Sequence, residues 1–390
     1  MKKIVRTALT SCLFAFAIAA HAAEPFRIGL VIPMSGPFAS TGKQVEAAVR
    51  LYMKQHGDTV AGRKIEVILK DDGGIYPELT KRQAQELAVK EKVDVLAGFG
   101  LTPLAFAAAP IATKAKLPMI VMAASTSSIV AKSPYIVRTS MTEAQVTAPL
   151  ADWAAKDPKA ELKSLVTLVS DFGPGLDSEK VFVKRYTEAG GKILESIRVP
   201  MENPDFSPFM QRVKDLNPDG VFVFLPSGQG LTLMKQFRER GLKDAGIQLI
   251  ATGGVLDDDL MPSMGDEALG VVTSGHYSAA DDSPENKTYV EELGRFVNHK
   301  MRPNFMSVGG YDGMHLIYKA LEKAGPNASG DELLAAMKGM SWMSPRGPVR
   351  IDPETRDIVQ TVYIRRAEQL GGELYNVEFD RAENVKDPGV

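Results

Sequence analysis

From residue 26 onward, short runs rich in Val, Ile and Leu alternate with longer segments of helical periodicity, and that alternation constrains the chain more than any other feature. A short strand that is apolar throughout must be covered on both faces, so the pattern predicts parallel sheets layered between helices. The first series reads as strand 26–32, helix 41–56, strand 64–70, helix 78–91, strand 93–97, a helix from near Thr102, and strand 118–122. A second series begins after Arg138: strand 164–169, a helix ending near Ala189, strand 192–199, helix 206–216, strand 220–224, helix 228–240 and strand 248–252. Two α/β series in tandem predict two lobes. After 269–274, two long helices at 283–299 and 305–324 lead into a β-rich tail at 349–377. Met314, Ile317, Leu321 and Ala324 share one face of the second helix, the stripe a helix buries against a sheet. No low-complexity linker divides the halves, which predicts lobes joined by several short crossings.

The first residues read as a processing signal. Lys2, Lys3 and Arg6 precede an apolar stretch at 8–20, and Ala20-His21-Ala22 presents small residues where a signal peptidase cuts, so cleavage is expected after Ala22. At about 13 residues that stretch is shorter than the roughly 20 needed to span a bilayer. The chain's one cysteine, Cys12, lies inside this leader. Leu9-Thr-Ser-Cys12 resembles a lipidation signal superficially, but the apolar run follows the cysteine instead of preceding it. The exported remainder therefore has no disulfides and depends on large cores. Lys plus Arg is 46 against 48 Asp plus Glu, which leaves no basic field for phosphate neutralisation and sets nucleic-acid binding aside.

In open α/β sheets, ligands bind beyond the carboxyl ends of the strands, where helix N-termini present free N–H groups. Three such turns are rich in small and hydroxyl residues. After strand 93–97, Gly98-Phe99-Gly100-Leu101 leads to Thr102 as an expected N-cap with Pro103 at the first helical position. After strand 118–122 comes Ala123-Ala124-Ser125-Thr126-Ser127-Ser128, and the first turn, 34–42, contains Thr41. Each is compatible with an ordinary helix start or turn; all three at strand ends point to a carboxylate held by hydroxyls and backbone N–H groups. Catalytic signals are thin. Beyond residue 22 the histidines are His56, His276, His299 and His315, without metal-ligand spacing, and there is no Gly-x-Ser-x-Gly nucleophile turn. Gly98-Phe99-Gly100 lacks the third glycine of a dinucleotide motif, so no cofactor is implied. The acidic clusters Asp257-Asp258-Asp259 and Asp281-Asp282 read as helix-dipole compensation, not metal sites.

The segments Ile28-Gly-Leu-Val-Ile-Pro-Met-Ser-Gly-Pro-Phe-Ala-Ser-Thr-Gly42, Lys70-Asp-Asp-Gly-Gly74, Val95-Leu-Ala-Gly98, Tyr135-Ile-Val-Arg-Thr139 and Tyr311-Asp312, in that order, make the chain resemble type I periplasmic solute-binding proteins of the branched-chain amino acid transporter family over about 26–380. The resemblance implies an α/β fold of two doubly wound parallel-sheet lobes joined by a three-crossing hinge, with 24–141 plus 276–345 in one lobe and 142–275 plus 346–390 in the other. It implies a non-enzymatic, monomeric periplasmic receptor that traps a small molecule by lobe closure and docks on an inner-membrane ABC permease. Carried over residue by residue, the ligand-carboxylate site falls on Thr102, Ala124 and Thr126, with Gly100, Leu101 and Ser125 beside them and Thr41 over the ligand.

One departure bears on the ligand. Amino-acid binders of the family carry a glutamate for the ligand's ammonium at the position of Gly253, in Thr252-Gly253-Gly254. A buried ammonium without a counter-charge is costly, so an ordinary α-amino acid is not expected. Phe99, Phe172 and Tyr277 are expected around an apolar ligand body, with His276, Ser227 and Gln229 as polar contacts. The stretches 171–177 and 276–287 resemble a subgroup linked to aromatic carboxylates, such as benzoates or cinnamates. A branched-chain amino acid binder is the alternative and requires another acid, such as Asp171. A ligand sensor or a secreted hydrolase on the same scaffold would be a different class of protein, and the lack of a nucleophile–base motif opposes the hydrolase.

Overall fold

The computed structural model describes residues 24–202 and 204–389. The leader, its cleavage point and Cys12 lie outside the described residues. The first series forms a six-stranded sheet in the spatial order Thr59–Val60, Arg63–Asp71, Phe26–Ile32, Val95–Gly98, Met119–Val121 and Ile136–Arg138. It is parallel except where Thr59–Val60 turns back on Arg63–Asp71. Ile28 pairs with Val67 on one side and Val95 on the other, and the central strands are buried throughout, as unalternating apolar runs require.

The second series builds the parallel core of a nine-stranded sheet, with Gln248–Thr252 and Gly220–Phe224 at its centre beside Ser164–Ser170 and Lys192–Val199. From Val272–Gly275 outward the sheet turns antiparallel through Ile358–Leu370, which pairs with Glu373–Val385 and Gly347–Ile351. These strands are the expected β-rich tail. The helices Pro284–Phe296, Phe305–Ala324 and Gly330–Met337 share the hydrophobic core of the first sheet, although the second series precedes them in the chain. Met314, Ile317 and Leu321 are fully buried there. Asn304 starts Phe305–Ala324 with a reciprocal capping box to Ser307.

Sequence periodicity missed the helix Glu143–Lys156, whose pattern is interrupted by Pro149. Its start was nevertheless written in Thr142-x-x-Gln145: the Thr142 hydroxyl accepts the Gln145 N–H at 3.0 Å. This helix follows the first passage of the chain out of the first sheet. The chain passes back after Gly275 and again through Gly347–Ile351 and Ile358–Leu370, a single long strand that begins in the first core and ends in the second.

Two buried ion pairs tie these passages together. Arg138 Nε lies 2.7 Å from Asp357 Oδ1, and Arg346 Nη2 lies 2.7 Å from Asp312 Oδ2. Arg346 also donates to the carbonyls of Thr139 and Ser140 and to Gln360 Oε1, and Gln360 Nε2 donates to Gln145 Oε1 at 2.8 Å. Removing one partner of a buried pair strands the other's charge. Arg138→Ala should therefore lower unfolding free energy by about 3–5 kcal/mol, whereas joint replacement of Arg138 and Asp357 by Met and Leu should recover most of it, as urea denaturation would measure.

Candidate functional site

A left-handed turn at the end of Val95–Gly98 sets the site. Gly98 has φ +104, and a Cβ there would lie 2.4 Å from Val31 O, so only glycine fits. Phe99 follows at φ +65 with its ring fully buried; its N–H donates to Val31 O at 2.7 Å and its carbonyl accepts the Ala124 N–H at 3.0 Å. Such a conformation costs a non-glycine residue about 1–3 kcal/mol. The packed Phe99 ring and the two hydrogen bonds hold it, and the chain is swung so that Gly100, Leu101 and Thr102 face the space between the two sheets.

The helix that follows is Thr102–Ala115, and its N-cap is Leu101, not Thr102. The Thr102 hydroxyl has another partner, Thr126 Oγ1 at 2.8 Å. No side chain caps the helix. The N–H groups of Leu101, Thr102, Ser125 and Thr126 find no protein acceptor among the described residues. Free donors at a helix N-terminus, next to a second turn of free donors, suit an anion. The Ala124 N–H is not one of them, since it is committed to Phe99.

These turns form one pole of a cavity between the sheets. Its walls are mostly apolar, including Met141, Val146, Phe172, Phe224, Phe305 and Met306. The interior admits the centre of a water-sized sphere over about 50 Å³. Thr41, Gly100, Leu101, Thr102, Ala124, Ser125, Phe172, Ser227, Gly253 and His276 all line it.

Other expected contacts lie elsewhere. Phe99 is core beneath the turn. Thr126 stands behind Thr102, and a Cβ on Gly173 would lie 2.4 Å from its Oγ1. Tyr277 is fully buried edge-on to Tyr289, with centroids 6.4 Å apart. Gln229 donates to Met201 O beside a separate surface pocket, and Asp171 does not line the cavity. Ser227 lines it but donates its hydroxyl to Asp257, which Asn304 Nδ2 also grips at 2.9 and 3.0 Å. Asp257–Asp259 is therefore a clamp rather than a helix-start cluster: Asp259 Oδ1 accepts the Arg302 N–H at 2.8 Å. Asp281 does sit before a helix, accepting the Ser283 N–H at 3.0 Å. Among the described residues no group of His, Cys, Asp or Glu is arranged to hold a metal ion.

The opposite pole is polar in an unexpected way. Gly253 and Gly275 line the cavity, and the Arg365 guanidinium lies against both: a Cβ on Gly253 would be 3.3 Å from Nη2, and one on Gly275 would be 2.7 Å from it. Arg365 is buried, donates to the carbonyls of Tyr277 and Ser274, and feels Asp258 and Asp257 only at longer range. His276 stays neutral, because burial and then the Arg346 charge hold its pKa well below the usual value. With Nε2 3.2 Å from Phe305 O, the proton sits on Nε2 and Nδ1 is an acceptor.

Glu143 is the residue that sequence reasoning missed, and it came with the missed helix. It occupies the first helical position, its N–H donates to Ser125 O at 2.8 Å, and its carboxyl enters the cavity wall. Burial pushes its pKa up to about 8, with the nearby Thr252 hydroxyl opposing the rise and the Asp177 charge adding to it. Glu143 is therefore the neutral acid at pH 7.

With this geometry in place, comparison gives the class. Residues 25–372 match the family described as "Periplasmic binding protein", and the chain belongs to that family. Among curated proteins, it is 46% identical over 392 residues to "Leu/Ile/Val-binding protein homolog 6" of Brucella melitensis biotype 1, covering 100% of this chain and 99% of the relative. Among solved structures, it is similar to the solute-binding protein of an ABC transporter from Rhodopseudomonas palustris BisB5 in complex with 3,4-dihydroxybenzoic acid, at 59% identity and TM-score 0.90, covering 93% of this chain and 99% of that one. A solute-binding protein from R. palustris HaA2 in complex with p-hydroxybenzoic acid gives 41% identity and TM-score 0.90, over 93% and 98% of the two chains. Among the described residues no helix is long and apolar enough to cross a membrane.

The raised Glu143 pKa has a thermodynamic consequence. Between the ordinary carboxyl value of 4.5 and about 8, the folded state keeps a proton that the unfolded state has released. The stability linked to Glu143 is thus complete below the lower value and is lost as pH rises through the upper one. Glu143→Gln should remove that slope, so urea midpoints of ligand-free wild type should fall relative to the variant between pH 5 and 8.

Proposed function

We propose that this chain is the periplasmic substrate-binding component of an ABC importer and that its ligand is a small aromatic carboxylate. The carboxylate sits on the free N–H groups of Leu101, Thr102, Ser125 and Thr126 with the Ser125 hydroxyl, and the ring lies among Phe172, Phe224 and Phe305. Lobes divided at about 141/142, 275/276 and 345/346 close over it about the arginine-tied crossings, and the closed, monomeric complex presents itself to the membrane permease. No catalytic step is assigned to it.

The observation that carries the aromatic reading is the wall at Gly253. Where amino-acid binders of this family place a glutamate for the ligand's ammonium, this chain has no side chain and sets the Arg365 guanidinium behind the gap. That pole repels an ammonium group. The aromatic acids bound by the similar R. palustris proteins support the same reading. The relatives named Leu/Ile/Val-binding keep an amino acid in contention, and Glu143 rather than Asp171 is the acid in place to meet its ammonium.

Thermal unfolding of protein lacking residues 1–22, refolded to strip carried-over ligand, separates the two. A ligand at about 1,000 times its dissociation constant adds roughly 4 kcal/mol to native stability, a shift of several degrees. Benzoate or hydroxybenzoates should give the shift and leucine none; a shift with leucine alone refutes the proposal.

Closure makes its own prediction. Gly173, in the second lobe, sits so tightly on Thr126 in the first that a Cβ would lie 2.4 Å from the Thr126 hydroxyl and must displace it from Thr102 or hold the lobes apart. Gly173→Ala should weaken ligand binding by about tenfold or more through this overpacking, measured by calorimetry, with little change in the melting temperature of the ligand-free protein.

A further inference from the structure

We infer that the Glu143 carboxyl and the Thr252 hydroxyl form a subsite for a ring hydroxyl, making this receptor selective for hydroxylated over unsubstituted aromatic acids. The inference rests on the aromatic-carboxylate reading and extends it to the far end of the ring.

Glu143 is 2% exposed and Thr252 is 1% exposed; the Thr252 hydroxyl approaches the Glu143 carboxyl, and beyond that approach neither Glu143 Oε1 nor Thr252 Oγ1 has a hydrogen-bond partner among the described residues. Buried polar atoms are nearly always satisfied; Glu143 lines the cavity with Thr252 behind it, and an under-satisfied buried pair at a cavity wall is the kind of exception that a ligand resolves. Both are on rigid supports. Glu143 is fixed by the first turn of its helix and by the bond from its N–H to Ser125 O; Thr252 ends the central strand Gln248–Thr252, paired on both sides.

Placement identifies the part of the ligand concerned. The Glu143 backbone touches the carboxylate turn at Ser125, and its side chain lies by Thr252, next to Gly253 and the polar pole. A ring whose carboxylate is held at Leu101–Thr102 and Ser125–Thr126 directs its distal substituent toward this pole. A protonated carboxyl both donates and accepts, so together with Thr252 it can receive a hydroxyl in either sense. As a neutral acid it brings no charge against the ligand's own carboxylate. Arg365, behind Gly253, adds a positive field that favours oxygen at that position. A site built to hydrogen-bond a hydroxyl discriminates strongly against the analogue without one, because its own polar groups then stay unpaired.

The test is calorimetric titration of stripped protein with benzoate, 4-hydroxybenzoate, 3,4-dihydroxybenzoate and leucine, using wild type, Glu143→Leu, Glu143→Gln and Thr252→Val. Wild type should bind at least one hydroxylated acid about tenfold or more tighter than benzoate. Glu143→Leu should abolish that preference while keeping benzoate binding, Glu143→Gln should restore part of it, and Thr252→Val should reduce it. Thr252→Val is close to isosteric and serves as the deciding variant should Glu143→Leu fail to fold. Equal affinity for benzoate and the hydroxylated acids in wild type overturns the inference while leaving the aromatic reading intact. So does a uniform loss for all the acids in the variants. Binding of leucine with no aromatic acid overturns both.

Discussion

The guanidinium of Arg346 is buried where the chain passes between its two cores, and the arrangement of both depends on how it is satisfied. It draws together Thr139 and Ser140 from the first passage, Gln360 from the last, and Asp312 from the helix that returns to the first sheet. An isolated charge in that position would be prohibitively costly. The crossings must therefore adopt the one geometry that supplies a carboxylate, two carbonyls and an amide oxygen at once. Arg138 repeats the arrangement with Asp357 and with the carbonyl of Thr126, in the turn behind the cavity wall. The crossings and the Ala124–Thr126 turn are thereby joined in one polar network, through the Ala124 carbonyl that both Arg138 and Ser140 reach.

The cavity is chemically divided along its length. One end offers neutral backbone donors and a helix terminus, the middle offers aromatic and aliphatic walls, and the other end offers a neutral acid, a neutral imidazole and a guanidinium held one layer back. Most polar groups near the cavity already have partners: Thr102 with Thr126, Ser227 with Asp257, His276 with Phe305. Orientation is thus left to the few groups that do not, an economy that favours specificity in a site this small.

Much of the fold was legible because it rests on repetition. Unalternating apolar strands and the stripe on Phe305–Ala324 recur often enough to outweigh local exceptions. The turns that line the cavity stood out for a different reason: each alone reads as an ordinary helix start or turn, but three hydroxyl-rich stretches all fall at strand ends. The helix Glu143–Lys156 was not found, because Pro149 masks its period, although Thr142-x-x-Gln145 marked its start. The side chains of Thr126, Phe99 and Tyr277 were expected toward the ligand because sequence proximity to a site does not reveal which way a side chain turns. Arg365 could not be connected with Gly253 at all, since over a hundred positions separate them and only the sheet pairing Val272–Gly275 with Ile358–Leu370 brings them together.

That pairing constrains how the protein could change its ligand. Restoring a glutamate at 253 would not by itself recreate an ammonium site, because the new carboxylate would arise beside the Arg365 guanidinium and be neutralised by it. Replacing Arg365 alone would leave the pole empty and the carbonyls of Tyr277 and Ser274 without their donor. Either single step loses before a double step gains, so the two positions are coupled in sequence space. A path from an acid site to an ammonium site in this chain thus crosses a fitness valley, with the arginine forming its floor.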